Sequence, residues 1–252
     1  MIASLPMYDR PETRAANDRI WRLIRDHLPA EMNAPADLSR DSDPWQDWQS
    51  PKLLLSQTCG YPFRAKLHSK TRLVATPVHN LPDCPPGHYH SVVIARKSDP
   101  RRAFEDFASA RLAYNEPLSQ SGWAAVHAHA ATSGFQFTQA LRTGSHRASA
   151  EAVARGAAEI AAIDAVSWAM MRRWDSFTTD LKEIAVTAPT PALPYITSAQ
   201  GPAPALAEAI SHAIAELSAQ DRATLLLDGL ADIPAEAYLA VPCPPTPPDT
   251  PH

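Results

Sequence analysis

The residues with the most chemical promise are small, polar and set where the chain changes character. Ser119, Gln120 and Ser121 follow the strand-like stretch 111–115 and precede an alanine-rich segment that begins at Trp123. A helix starting here leaves its first backbone N–H groups unpaired and carries a partial positive charge, so an anion is favoured at that point. Two hydroxyls and an amide add neutral donors. Gly122 has no side chain to hold a ligand away from the backbone. The same residues suit a plain helix cap, because a serine oxygen accepts from the N–H groups of a first turn. On this stretch alone both readings stay open.

Thr143-Gly144-Ser145-His146 repeats the design ahead of a second helical segment, 147–155. A histidine at a helix start can donate to an oxyanion whether neutral or charged, and it can equally be a surface or capping residue. Asp164 ends the apolar run 159–163, where α/β sheets place ligand-facing groups, and it can also cap the helix 165–174. A carboxylate beside an anion makes sense when the ligand brings a proton or an amine for it to accept. A partly protonated phosphonate or phosphite does so.

Other constellations are weaker. His88 and His90 offer two imidazoles with no neighbouring carboxylate, so no metal site and no cofactor is expected. His127 and His129 stand two apart on a helical segment and point in different directions. The chain has no GxGxxG, no GxxxxGK, no GxSxG and no CxxC. Cys59, Cys84 and Cys243 read as thiols, with a Cys59–Cys84 bridge the remaining option for an exported chain.

The elements that must position these residues follow from the patterning. At 252 residues, 45% hydrophobic and 20% charged, the chain can bury one large α/β core or two smaller ones. Strand-like runs at 2–7, 53–57, 71–78, 89–96, 111–115, 159–163 and 183–187 alternate with helical periodicity at 11–28, 100–108, 123–131, 147–155, 165–174, 203–217 and 220–227. The net charge of −4, without a basic run, argues against nucleic acid as a partner. No segment approaches the roughly 20 apolar residues of a membrane span, so no membrane insertion is expected. The first residues show no basic region followed by an apolar one, which predicts a cytoplasmic protein as written, or a periplasmic one if the true start lies upstream. Prolines at 244, 245, 247, 248 and 251 predict a tail, 243–252, that does not pack regularly and is disordered.

Read together, 113–122 (Ala-Tyr-Asn-Glu-Pro-Leu-Ser-Gln-Ser-Gly), Thr143–His146 and 159–164 (Glu-Ile-Ala-Ala-Ile-Asp) resemble the substrate-binding proteins of phosphonate, phosphite and phosphate ABC transporters. The stretches 54–62 (Leu-Leu-Ser-Gln-Thr-Cys-Gly-Tyr-Pro) and 5–8 (Leu-Pro-Met-Tyr) fit as well. The resemblance implies a type II periplasmic-binding-protein fold, two α/β lobes joined by two crossing strands. Lobe one would take 1–88 and 184–242, and lobe two 89–183. The implied function is to bind a small oxyanion between the lobes as part of an ABC importer, with the permease as partner and no catalysis. Ser119, Gln120, Ser121 and His146 would clasp the oxyanion, Asp164 would accept a ligand proton, and Tyr8 and Tyr61 would approach from the opposite lobe. Gln120 departs from the Ser-Thr-Ser usual in that turn. The alternative is a cytoplasmic enzyme on the same fold, with His146 or Asp164 as general acid or base, or a ligand sensor.

Overall fold

The computed structural model describes residues 1–248. The chain divides into two compact units: residues 1–88 with 191–241, and residues 89–190 with the segment from Pro242 onward.

The first unit is built on a five-stranded sheet with spatial order Ile2–Ser4, Leu53–Gln57, Tyr195–Ser198, Thr71–His79, Leu227–Ala231. The first pair is parallel and the other pairings are antiparallel. Leu53, Leu54 and Leu55 are fully buried, as befits a strand covered on both faces. The helix Arg14–Asp26 lays Ala16, Ile20, Trp21 and Ile24 against this sheet's core, beside Leu206, Ile210 and Ile214 of the helix Ala203–Glu216. That spacing is the helical repeat read from the sequence. Each buried aliphatic or aromatic side chain contributes about 1.5–3 kcal/mol.

Trp48 belongs to a second apolar cluster with Leu53, Phe63, Leu67, Ile196 and Tyr238. Its indole donates to Ser56 Oγ and to the Gln57 carbonyl, both at 3.2 Å. Gly87, in the same unit, adopts φ +72°, a backbone conformation that side chains resist. A Cβ there would stand 2.6 Å from Ala231 Cβ. Gly87→Ala is therefore expected to cost about 1–3 kcal/mol, read as a lower urea midpoint at unchanged slope.

The second unit carries a five-stranded sheet in the order Gln139–Arg142, Arg111–Tyr114, Ile160–Asp164, Ser91–Arg96, Leu181–Val186. Its central strands are buried along Val93–Ala95 and Ile160–Ile163. The strand Leu181–Val186 pairs with Ser91–Arg96 in this unit, so the boundary falls at 190/191 rather than at 183/184. The short segments His88–Tyr89 and Thr190–Pro191 pair with each other.

Residues 243–248 have no regular secondary structure, yet the Trp123 indole donates to the Pro245 carbonyl at 2.8 Å and Pro247 is buried. These contacts hold 243–248 in place, against the expectation of a disordered 243–252, and residues 249–252 lie outside the described residues. Among the described residues no helix is long and apolar enough to cross a membrane.

Candidate functional site

The strands Gln139–Arg142, Arg111–Tyr114 and Ile160–Asp164 run parallel, with Leu112 opposite both Ala140 and Ile160. Their C-terminal ends therefore line one sheet edge, where open α/β sheets put ligand-facing groups. The loops carrying Ser119–Ser121, Thr143–His146 and Asp164 all leave from that edge. Backbone bonds then fasten one loop to the other: Thr143 N–H donates to the Tyr114 carbonyl at 2.9 Å and Gly144 N–H to the Asn115 carbonyl at 3.0 Å.

Ser119 caps the next element, its Oγ accepting from Gly122 N–H at 2.9 Å. That element is not a simple α-helix. Gln120–Ala124 form a π turn that continues into the helix Ala125–Thr132. A wider turn of this kind leaves backbone groups displaced from the regular ladder, and such turns recur at binding sites. Ser119, Gln120 and Ser121 are all buried.

On the neighbouring loop Ser145 is the cap, accepting from Ala148 N–H at 3.1 Å, and His146 is the first residue of the helix His146–Ala154. The two helix beginnings meet directly. Ser121 Oγ lies 2.9 Å from His146 Nε2. Burial pushes the His146 imidazole down to about 4, against a small opposing effect of the Ala162 carbonyl, so the ring is neutral at ordinary pH. Its Nδ1 is enclosed and makes no hydrogen bond of good geometry.

Asp164 takes the capping role that was open for it: its Oδ1 accepts from Ser167 N–H at 2.8 Å, and the carboxylate is buried. Facing it across the sheet is Ser91, whose Oγ donates to the Ser121 carbonyl at 2.9 Å. Asn115 stands behind the turn, its Oδ1 buried without a hydrogen bond beside Gly122. Sequence reasoning passed over Ser91 and Asn115. Ser91 reads there as one polar residue in a strand, and only the pairing with Asp164 gives it a place. Asn115 could have been found, because it directly follows the strand that feeds the serine turn.

Tyr8 and Tyr61 belong to the first unit. The Tyr8 carbonyl accepts from Thr13 Oγ1 at 2.7 Å, and its ring meets His79 edge to face at 5.4 Å between centroids. Tyr61 is buried with the Arg64 guanidinium 4.4 Å over its ring. Among the described residues no group of three or more His, Cys, Asp or Glu side chains could hold a metal ion. The three cysteines form no disulfide, and Cys243 is exposed.

The decisive comparison is with sequence families. The model of a family described as the periplasmic phosphonate substrate-binding protein of ABC transporters matches residues 53–236. The chain belongs to this phosphonate-binding family. The family consists of solute-binding proteins rather than enzymes, and it implies a small ligand and a permease partner. Its periplasmic description overturns the expectation of a cytoplasmic protein, which rested only on the composition of the first residues.

No curated protein matches the chain. Solved structures show the same fold. PhnD1 of Prochlorococcus marinus, solved in complex with methylphosphonate, is 14% identical with a TM-score of 0.72, covering 94% of each chain. The binding-protein component of an ABC phosphonate transporter from Pseudomonas aeruginosa is 16% identical with a TM-score of 0.66, covering 94% of this chain and 82% of that one. A histidine kinase sensor domain similar to periplasmic binding proteins is 18% identical with a TM-score of 0.58, covering 89% and 93%.

Proposed function

We propose that this member of the phosphonate-binding family binds a small oxyanion, a phosphonate, phosphite or phosphate, as the substrate-binding component of an ABC importer. The observation that carries the reading is the 2.9 Å contact between Ser121 Oγ and His146 Nε2, two helix beginnings 25 residues apart in sequence. The named groups at this point, Ser119, Gln120, Ser121 and His146, are neutral donors and acceptors. They bind a tetrahedral anion through directed hydrogen bonds and the partial charge of helix starts. Asp164, in the same unit, favours a ligand with a proton of its own.

Thermal unfolding in the presence of phosphate, phosphite, methylphosphonate and 2-aminoethylphosphonate tests this. At least one should raise stability saturably, by about 2.7 kcal/mol at 100 times its Kd. The double variant Ser121→Ala, His146→Ala should fold, at a cost of about 1 kcal/mol for the lost hydrogen bond, and lose the ligand response. A variant that keeps the full response puts the site elsewhere. Tyr8→Phe and Tyr61→Phe enter the same assay. Each is expected to weaken binding by a factor of about 3 to 10 if its hydroxyl bonds the ligand.

A further inference from the structure

The chain completes its last regular element, the helix Ala235–Leu239, in the first unit and then returns to the second. What returns is mostly proline: Pro242, Pro244, Pro245, Pro247 and Pro248. Proline fixes one backbone dihedral and has no N–H, so such a segment is stiff before it docks and offers carbonyls with few donors. Its docking point is defined by one bond. The Trp123 indole donates to the Pro245 carbonyl at 2.8 Å, and Pro247, two residues on, is buried.

Trp123 is a consequential place for that bond. It lies inside the π turn Gln120–Ala124, directly after Ser121 and Gly122, and it is 1% exposed. An indole N–H can only donate, and a buried donor needs an acceptor, which the terminal segment supplies. The Trp123 ring also bridges the two flanks of the turn. It meets Tyr114, at the end of the preceding strand, at 5.7 Å between centroids, and His127, on the following helix, at 5.5 Å. The Tyr114 carbonyl in turn accepts from Thr143 N–H at 2.9 Å, on the loop that carries His146. Turns of the π type are rare, and one persists where tertiary contacts hold it against the regular α ladder.

We propose that the C-terminal proline segment is a strap that positions the serine turn, with Trp123 as the positioning residue through which it acts. By accepting the indole proton, Pro245 holds Gln120–Ala124 in the π conformation and so keeps Ser121 against His146. The proposal rests on the reading of that turn as part of the oxyanion site.

The test compares the full chain with one ending at Val241, by amide hydrogen exchange without ligand. Amides 121–125 are expected to exchange about 3 to 10 times faster in the shorter chain, the factor one buried hydrogen bond supports, while Val93–Ala95 keep their protection. Trp123→Phe retains an aromatic ring and loses the donor, so it should loosen the same amides in the full chain. A synthetic peptide of residues 242–252 should restore slow exchange to the shorter chain, and not to the shorter chain carrying Trp123→Phe. Phosphate and methylphosphonate should bind the shorter chain more weakly by about the same factor and regain affinity with the peptide. Should the shorter chain fail to fold, Trp123→Phe in the full chain decides by the same readouts. Unchanged exchange at the turn, a loss of protection shared equally by Val93–Ala95, or an anion affinity untouched by removal of the strap would each overturn the proposal. A full chain that binds neither anion counts against the oxyanion reading, and the exchange comparison still decides the strap.

Discussion

Acidification from pH 6.5 to pH 4 is expected to remove about 3 kcal/mol of folding stability for each of His79 and His146. Both rings are held at about 4 by burial, against 6.5 for a free side chain. Between those values the unfolded chain binds protons that the folded chain refuses, so stability is complete above pH 6.5 and falls as pH drops toward 4. His127 is shifted in the same direction by burial and adds to the trend. Asp99, held near 2 by the Arg101 guanidinium, loses its contribution only at lower pH and does not mask the histidine window. Urea denaturation at a series of pH values measures the slope. His79→Phe and His146→Phe should each flatten it, and a wild-type slope retained in both would sink the assignment.

Gly122→Ala should abolish the response to oxyanions and cost about 1–3 kcal/mol of stability. The new Cβ would stand 2.0 Å from Asn115 Oδ1 and 3.1 Å from Ser119 Oγ. No rotation of one methyl group relieves a contact that short, so either the π turn opens or Asn115 is expelled. The double variant Gly122→Ala, Asn115→Ala removes the obstacle and should recover most of the stability, a coupling that a double-mutant cycle measures. Gly229 serves as control: its Cβ would meet nothing within 4 Å, and Gly229→Ala should change stability by no more than about 0.5 kcal/mol. Loss of the oxyanion response in the control as well would show that the assay reports something other than the turn.

The sequence was most legible where a local rule and the tertiary demand agreed. Ile20 and Ile24 on one helical face, the buried run Leu53–Leu55 and the helix following Asp164 all satisfy both. It was less legible where context alone decides. Gln139–Arg142 is an edge strand of four residues with Gln139 and Arg142 exposed, and nothing in its composition separates it from a loop. The helical reading of 220–227 runs one residue into the strand Leu227–Ala231 and leaves the rest of it unassigned; Leu226 at φ +52° ends the helix Ala219–Leu225 and redirects the chain. The segment 100–108 read as a helix is a short 3₁₀ turn, Phe104–Phe107.

The candidate site divides in the same way. Ser119, Ser145 and Asp164 were recognisable as residues that begin helices, since capping is a local interaction. That Ser121 would meet His146 followed from a family resemblance and not from spacing, because it depends on two strands lying in parallel register. The tautomer of the buried His79 had no sequence signal, being set by one carbonyl at Leu226 that takes the Nδ1 proton.

The order of segments along the chain also governs the order of biosynthesis. Residues 89–190 supply every strand of one sheet without interruption, so that body can assemble while the ribosome is still extending the polypeptide. The other sheet must wait, because Tyr195–Ser198 occupies its centre and Leu227–Ala231 its edge. Until those last strands emerge, the apolar flank of Leu53–Leu55 has no neighbour on one side. During that interval the chain exposes an unpaired, apolar strand edge of the kind that chaperones shield.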